Sequence, residues 1–191
     1  MGNVFFTSDT HFGHANVIKY SERPWPDVEA MNEGLIANWN SVIGKDDAVY
    51  HLGDFTLTNR VELIQSWLSR LNGQIRLVRG NHDTWLRRID EVAAADRIKW
   101  VKDYAERTFD LDGERYKIVL CHFPLMFWNG SHHGSFHLHG HCHGNANHLN
   151  TNVRRLDVGV DPNNWKPLSL REVVDRLKNV PLNPHHDRYN N

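Results

Sequence analysis

Apolar positions along the chain fall into two patterns. Short unbroken runs such as Val4-Phe5-Phe6 predict buried strands, one over Asn3–Ser8 and another over Ala48–Leu52. Between them, Val28, Met31, Leu35 and Trp39 recur at helical spacing, and Asp27 is placed to cap a helix reaching about Ile43. A shorter helix is expected over Ala15–Tyr20, stopped by Pro24 and Pro26. Asn59 and Glu62 have capping-box spacing and open a helix that runs through Leu63, Ile64, Trp67, Leu68 and Leu71 to Gly73. Gln74–Val78 reads as the next strand and Asp83–Ala95 as helical.

The pattern then changes. Arg107–Leu111 and Arg115–Cys121 alternate on either side of Asp112-Gly113, a hairpin signal. Phe136–His139 and Leu156–Val160 are short strands, and Ser169 with Glu172 begins a final capped helix. The first half therefore reads as βαβ units and the second as mainly antiparallel strands. Together they predict α/β layers with sheets inside and helices outside. The 191 residues suit one domain, taken as 1–180, followed by a loose polar tail over 181–191.

Composition narrows the function classes. Lys and Arg total 22 against 23 Asp and Glu, a net charge of −1 that counts against a broad nucleic-acid footprint. No apolar run approaches a membrane span. Met1-Gly2-Asn3 has no basic region of a signal peptide, and Phe6 stands where a myristoylation motif needs Ser or Thr. Cys121 and Cys142 cannot build a disulfide framework and read as free thiols of a reducing, cytoplasmic setting. Histidine stands out, with 14 residues, and histidine is the commonest metal ligand.

Where the histidines fall gives that excess a meaning. Asp9-Thr10-His11 follows the first strand, and two residues apart in extended chain Asp9 and His11 share a face. Gly53-Asp54 follows the second strand, where glycine allows a sharp turn or a close backbone approach. Gly80-Asn81-His82-Asp83 follows the third; Asn81 can cap a helix there or offer an amide oxygen to a metal. His122 follows the strand that begins at Arg115. His141 and His143 share a face if Gly140–His143 is extended, with Cys142 turned away. Each cluster alone has an ordinary structural explanation. Five of them, after five strands, do not.

This series resembles the calcineurin-like metallophosphoesterase superfamily from Asp9 to His143. The strings Ser8-Asp9-Thr10-His11-Phe12-Gly13-His14, Leu52-Gly53-Asp54-Phe55 and Val78-Arg79-Gly80-Asn81-His82-Asp83 look like its small bacterial and phage-type members. The resemblance implies a four-layer α/β/β/α sandwich with a dinuclear site at the strand ends. It implies that Asp9, His11 and His143 bind one divalent ion, that Asn81, His122 and His141 bind the other, and that Asp54 bridges them. It implies attack of a metal-activated water on phosphorus, with His82 as general acid. Manganese is the metal to try first; Fe, Zn, Co and Ni suit the same donors. His14 and Asn81 are candidate phosphate contacts, and Asp83 and His139 candidate supports behind the ligands.

Protein phosphatases of the superfamily carry a second Asp shortly after Gly-Asp. Here the chain reads Asp54-Phe55-Thr56-Leu57-Thr58, which leaves His82 without that partner and argues against a protein substrate. A small phosphate ester, nucleotide-like and most simply a diester, is the expected substrate. A phosphomonoesterase or nucleotide pyrophosphatase would use the same residues. A non-catalytic scaffold of this fold would be expected to have lost some of them. A structural zinc site is disfavoured because neither cysteine fits one. Trp39, Trp67 and Trp85 read as core, Pro124–Trp128 as core more than pocket wall, and Trp25 as a surface contact.

Overall fold

The structure, a computed structural model, describes residues 2–150 and 152–182. Strands β1 (Val4–Thr7), β2 (Ala48–His51), β3 (Gln74–Val78) and β4 (Ile98–Lys102) lie parallel in the order β4-β3-β2-β1. A second sheet has the order β5 (Tyr104–Leu111), β6 (Glu114–Cys121), β7 (Phe136–His139), β8 (Arg155–Asp157). Strand β9 (Leu168–Ser169) returns to the first sheet and pairs antiparallel with β1. Helices α1 (Ala15–Tyr20), α2 (Val28–Val42), α3 (Val61–Arg70) and α4 (Leu170–Leu177) flank the sheets.

The period of two along each strand divides the molecule into two cores. Phe5, Val49, Ile75 and Leu77 face α2 and α3, where Met31, Leu35, Trp39, Ile64, Trp67 and Leu68 meet them. Phe6, Tyr50, Leu52 and Val78 face the other way, onto Ile118, Leu120, Phe136 and Leu138 of the second sheet. Val173, Val174 and Leu177 bring α4 into that second core. The layered sandwich is therefore the expected α/β architecture, with two sheets flanked by helices. Among the described residues, no helix is long and apolar enough to cross a membrane.

Several elements match their sequence signals closely. Asp27 caps α2 by accepting from Ala30 N at 2.8 Å. Ser169 and Glu172 form the reciprocal capping box of α4. Asp112 (φ 53°) and Gly113 (φ 83°) both take the left-handed conformation of a tight hairpin turn between β5 and β6.

Other expectations are corrected. Asn59 does not cap α3, which starts later, at Val61. Its side chain instead accepts from Thr84 Oγ1 at 3.2 Å and its carbonyl from Arg88 at 3.1 Å, so tertiary partners take the cap. The stretch expected as a helix from Asp83 is two 3-10 segments, Thr84–Glu91 and Ala93–Arg97, broken where Val92 turns into the core. Strand β4 follows, half exposed at the sheet edge, where its alternation is too weak to stand out. The last predicted strand closes at Asp157, with Gly159 making only a single bridge to Ser8. Of the expected tail, only 181–182 lies within the described residues.

The second sheet is also less antiparallel than expected. Only β5–β6 is antiparallel, whereas β6–β7 and β7–β8 are parallel. Parallel neighbours need crossover connections, and those bring successive strand ends to the same edge of the sheet. The ends of β6 and β7 therefore lie side by side, as do the ends of β1, β2 and β3 in the first sheet. Val160 N donates to Ser8 O at 3.1 Å, joining the two edges where the first and eighth strands finish.

Candidate metal centre

Backbone hydrogen bonds continue past the strand ends and hold their loops together. Asp9 N donates to Gly53 O at 2.9 Å, His11 N to Asp54 O at 3.0 Å, and Gly140 N to His122 O at 2.9 Å. Gly53 has φ 101°, and a Cβ there would lie 2.5 Å from Gly80 N. A Cβ on Gly80 would lie 2.2 Å from Asp54 Oδ1. These two glycines let the second and third loops touch through bare backbone, which is the close approach expected of Gly53.

Asp9 (φ 57°), His11 (φ 50°), Asp54 (φ 56°), His141 (φ 70°) and His143 (φ 49°) are all left-handed. Residues other than glycine rarely adopt this conformation, and they hold it where the surroundings over-determine it. The chain is therefore turned, not extended, at these positions, contrary to expectation. Asp9 and His11 still meet, but through turns. His141 and His143 do not share a face and point to different groups.

Two groups of side chains result. Ligand atoms of Asp9, His11 and His143 lie within 4.8 Å of one another, as do those of Asp54, His122 and His141. Asn81 joins the second group, its Oδ1 lying 3.0 Å from both His122 Nε2 and His141 Nδ1. Asp54 Oδ2 stands between the groups, 3.5 Å from His122 Nε2 and 3.7 Å from His11 Nε2. Asp9 accepts from His141 N at 3.0 Å, which ties the groups from behind.

Electrostatics separate the two carboxylates. Burial pushes Asp9 up to about 7, with Asp157 and Asp54 adding to the rise against His122 and His143. Burial also raises Asp54, but the hydrogen bond and charge of His122 outweigh it and hold the carboxyl at about 2. Burial keeps His11 well below the usual histidine range. That ring is buried, and neither nitrogen has a hydrogen-bond partner. Buried polar atoms are seldom left so, because each costs about 1–3 kcal/mol. A divalent ion among Asp9, His11 and His143 would satisfy one of the two nitrogens. The carboxylate, imidazole and amide donors suit a first-row divalent ion, so the residues present fit such a metal.

Support behind the ligands is specific. His122 Nδ1 donates to Leu52 O at 2.7 Å, leaving Nε2 for the site. His143 Nδ1 donates to Asp161 Oδ2 at 2.7 Å. Arg23 grips Asp161 with two bonds of 2.9 Å and the carbonyls of Asp9 (2.7 Å) and Thr10 (2.9 Å) with others. Sequence reasoning missed both residues. They are 138 positions apart, and no local pattern marks either. Asp83 accepts from Asp54 N, Phe55 N, Gly80 N and Trp85 Nε1 at 2.8–3.0 Å. It clamps the Asp54 loop and does not serve the His82 ring. His139 bonds the carbonyl of Gly140, one residue from His141.

At the mouth, His82 is exposed, its ring 5.7 Å from that of His11. His14 also lies 5.7 Å from the His11 ring, with a buried Nδ1 that has no partner. Burial, then the nearby His82 and Arg23, lower the pKa of His14. Cys142 lies in neither ligand group. Among the other candidates, Trp39, Trp67 and Trp85 are core, as expected. Trp25 is not a surface contact: it packs half-buried against Trp165 at 5.3 Å. The Pro124–Trp128 stretch divides, with Trp128 buried and Met126 and Phe127 exposed, because the loop has only one side against the sheet.

The model of the family described as calcineurin-like phosphoesterase matches residues 2–171. The chain belongs to the calcineurin-like phosphoesterase family. As such it is a metal-dependent hydrolase of phosphate esters in general type. The uncharacterized protein MJ1445 of Methanocaldococcus jannaschii is 37% identical over 185 residues, 93% of each chain. The Gene 66 protein of Mycobacterium phage D29 is 32% identical over 201 residues, covering 93% of this chain and 98% of the phage protein. The crystal structure of AQ665 from Aquifex aeolicus superposes with a TM-score of 0.67 at 24% identity, covering 93% of this chain and all of that one. That likeness speaks for the fold alone.

If Asp9, His11 and His143 hold an ion, Asp161→Asn is expected to weaken its binding by about 10–100-fold, the usual effect of losing a carboxylate behind a ligating histidine. Chelator competition measures it. Affinity equal to that of the unaltered protein would show that Asp161 serves the fold only.

Proposed function

We propose that this phosphoesterase is a phosphodiesterase of small, nucleotide-like substrates that works with two divalent ions. Asp9, His11 and His143 would hold one ion, Asn81, His122 and His141 the other, with Asp54 between them. The observation that carries this reading is Asp54 Oδ2, set 3.7 Å from one group and 3.5 Å from the other. Two dications at roughly 3.5–4 Å repel, and a shared carboxylate offsets that repulsion. When bound, the ions supply polarisation of the phosphoryl oxygens and acidification of a water.

The chain's own residues do the rest. Asp9, clamped to His141 N, fixes the relative position of the two groups. Arg23 and Asp161 set the ring of His143. His82, on the solvent side, holds a proton where the departing oxygen of an ester would emerge. His14 faces the same opening and offers its ring to a phosphoryl oxygen. Arg23 is committed to Asp161 and two carbonyls, so it adds no free cation at the mouth where His82 and His14 stand. The alkoxide of either ester needs a proton on leaving, but a diester carries one negative charge fewer and so fits this mouth better.

Metal-stripped protein reloaded with manganese should cleave a phosphodiester faster than a phosphomonoester of the same chromophore. Monoester preference would replace the diesterase reading with a phosphatase one. Turnover of neither, with ions shown to be bound across several metals, would favour a non-catalytic scaffold.

A further inference from the structure

Beside the metal centre lies a cavity of about 440 Å³. Asn81 lines it, so it shares a wall with the second ligand group. Its other walls include Arg79, Thr84, Leu86 and Arg87. The volume falls within the roughly 300–1,000 Å³ of ordinary small-molecule sites. None of the residues placed in the chemistry needs this space, and neither arginine has a role in the core.

The two cations differ in how they are held. Arg79 follows β3 directly and reaches Asp103 at 3.1 Å, but both side chains are at least half exposed. Such surface pairs contribute little and exchange partners readily. Arg87 lies on the 3-10 segment beside Trp85, which is buried, while Arg87 itself is exposed. Its neighbour Arg88 is committed to Glu91 and to the carbonyl of Asn59. Among the described residues, Arg87 makes no ion pair. The carboxylate of Asp83 also lines the cavity, yet four N–H groups already bond it, which dulls its repulsion of an anion. Positive charge is therefore available at one side of the metal centre, in the wall of a recess large enough for part of a nucleotide.

We propose that the cavity lined by Arg79 and Arg87 binds a second phosphate of the substrate, one sugar away from the phosphate held at the metal centre. The substrate class is then a small nucleotide carrying two phosphoryl groups. This rests on the phosphodiesterase reading. Guanidinium is the side chain best shaped to bond phosphate oxygens in pairs. A nucleic-acid strand would present phosphates well beyond one recess, and the net charge of −1 offers no continuing basic track for them.

Binding and turnover test the proposal separately. Manganese-loaded full-length protein, in which the 5′-phosphate of either nucleotide can occupy the metal centre, is titrated calorimetrically with thymidine 3′,5′-bisphosphate and with thymidine 5′-phosphate. The bisphosphate should bind at least about tenfold more tightly, as one charge-assisted contact implies. Arg87→Glu should bring the ratio close to one, and Arg79→Gln should lower it. Both positions are exposed, and circular dichroism checks that the variants fold. In the manganese-loaded protein, the p-nitrophenyl ester of thymidine 5′-phosphate should gain a similar factor in kcat/KM from a 3′-phosphate, and Arg87→Glu should remove that gain.

Equal binding of the two nucleotides by the unaltered protein overturns the proposal. So does a ratio that survives both substitutions. A single-stranded tetranucleotide that displaces the bisphosphate at lower concentration would overturn it in favour of nucleic acid. If neither ester is cleaved but the binding ratio stands and falls with Arg87, the phosphodiesterase reading fails and the second-phosphate site remains.

Discussion

Asp54→Asn is expected to reduce turnover by at least about a thousandfold, the upper range seen when one preorganised electrostatic group is lost. Asparagine keeps the shape and can still accept from His82 N, as Asp54 Oδ1 does at 2.9 Å. It loses the negative charge between the two ligand groups. The carboxyl is held at about 2, so it is ionised throughout the working range and its charge is always present. Without it, dications held by the two groups would repel with no shared carboxylate to offset the repulsion. Metal analysis of the variant should therefore find one ion or fewer per chain under conditions that load two in the unaltered protein. The chain should still fold, because Asp83, not Asp54, bonds the backbone of both strand-end loops. Two ions at unaltered affinity together with normal turnover would remove Asp54 from the bridging position.

The second large effect falls on His82. His82→Ala should keep both ions and lose about 10²–10⁴ in kcat on a diester with an alkoxide leaving group, the range for losing a general acid. With p-nitrophenolate, which leaves without a proton, the loss should be tenfold or less. The contrast between the two leaving groups separates an acid from a ligand or a fold residue, since those would depress both alike. The ring is exposed and meets the site only across 5.7 Å from His11. Its backbone N–H, not its ring, bonds Asp54, so the substitution leaves that contact in place. Equal losses on both esters would assign His82 a different task.

Much of this was legible along the chain. The strands that carry the site were visible as apolar runs ended by Gly, Asp, Asn or His. The caps of α2 and α4 were visible because a cap is a local bond between residues three apart. Asn59 shows the limit of such local signals: its spacing was right, but Thr84 and Arg88 competed for it from a distant segment. Strand β4 and the 3-10 segments were missed or misassigned for the same reason, since an edge position and a turn of Val92 into the core are tertiary facts.

The direction of the ligands was not legible. Reasoning from extended chain put His141 and His143 together. Left-handed turns send one to Asp54 and His122 and the other to Asp9 and His11. The resemblance to a known family had assigned them to separate groups, but spacing alone could not.

By itself the sequence determined which residue types stand after which strands, because metal and phosphate chemistry needs particular donors and those are written locally. It also determined that glycines flank them, because loops that touch through backbone cannot carry a Cβ. Only the tertiary structure decided which donors converge, that Arg23 and Asp161 stand behind His143, and that Arg79 and Arg87 open onto a cavity beside Asn81. These are contacts between segments far apart in the chain. They arise when parallel pairing brings the strand ends to one edge, and no local pattern encodes which ends will meet.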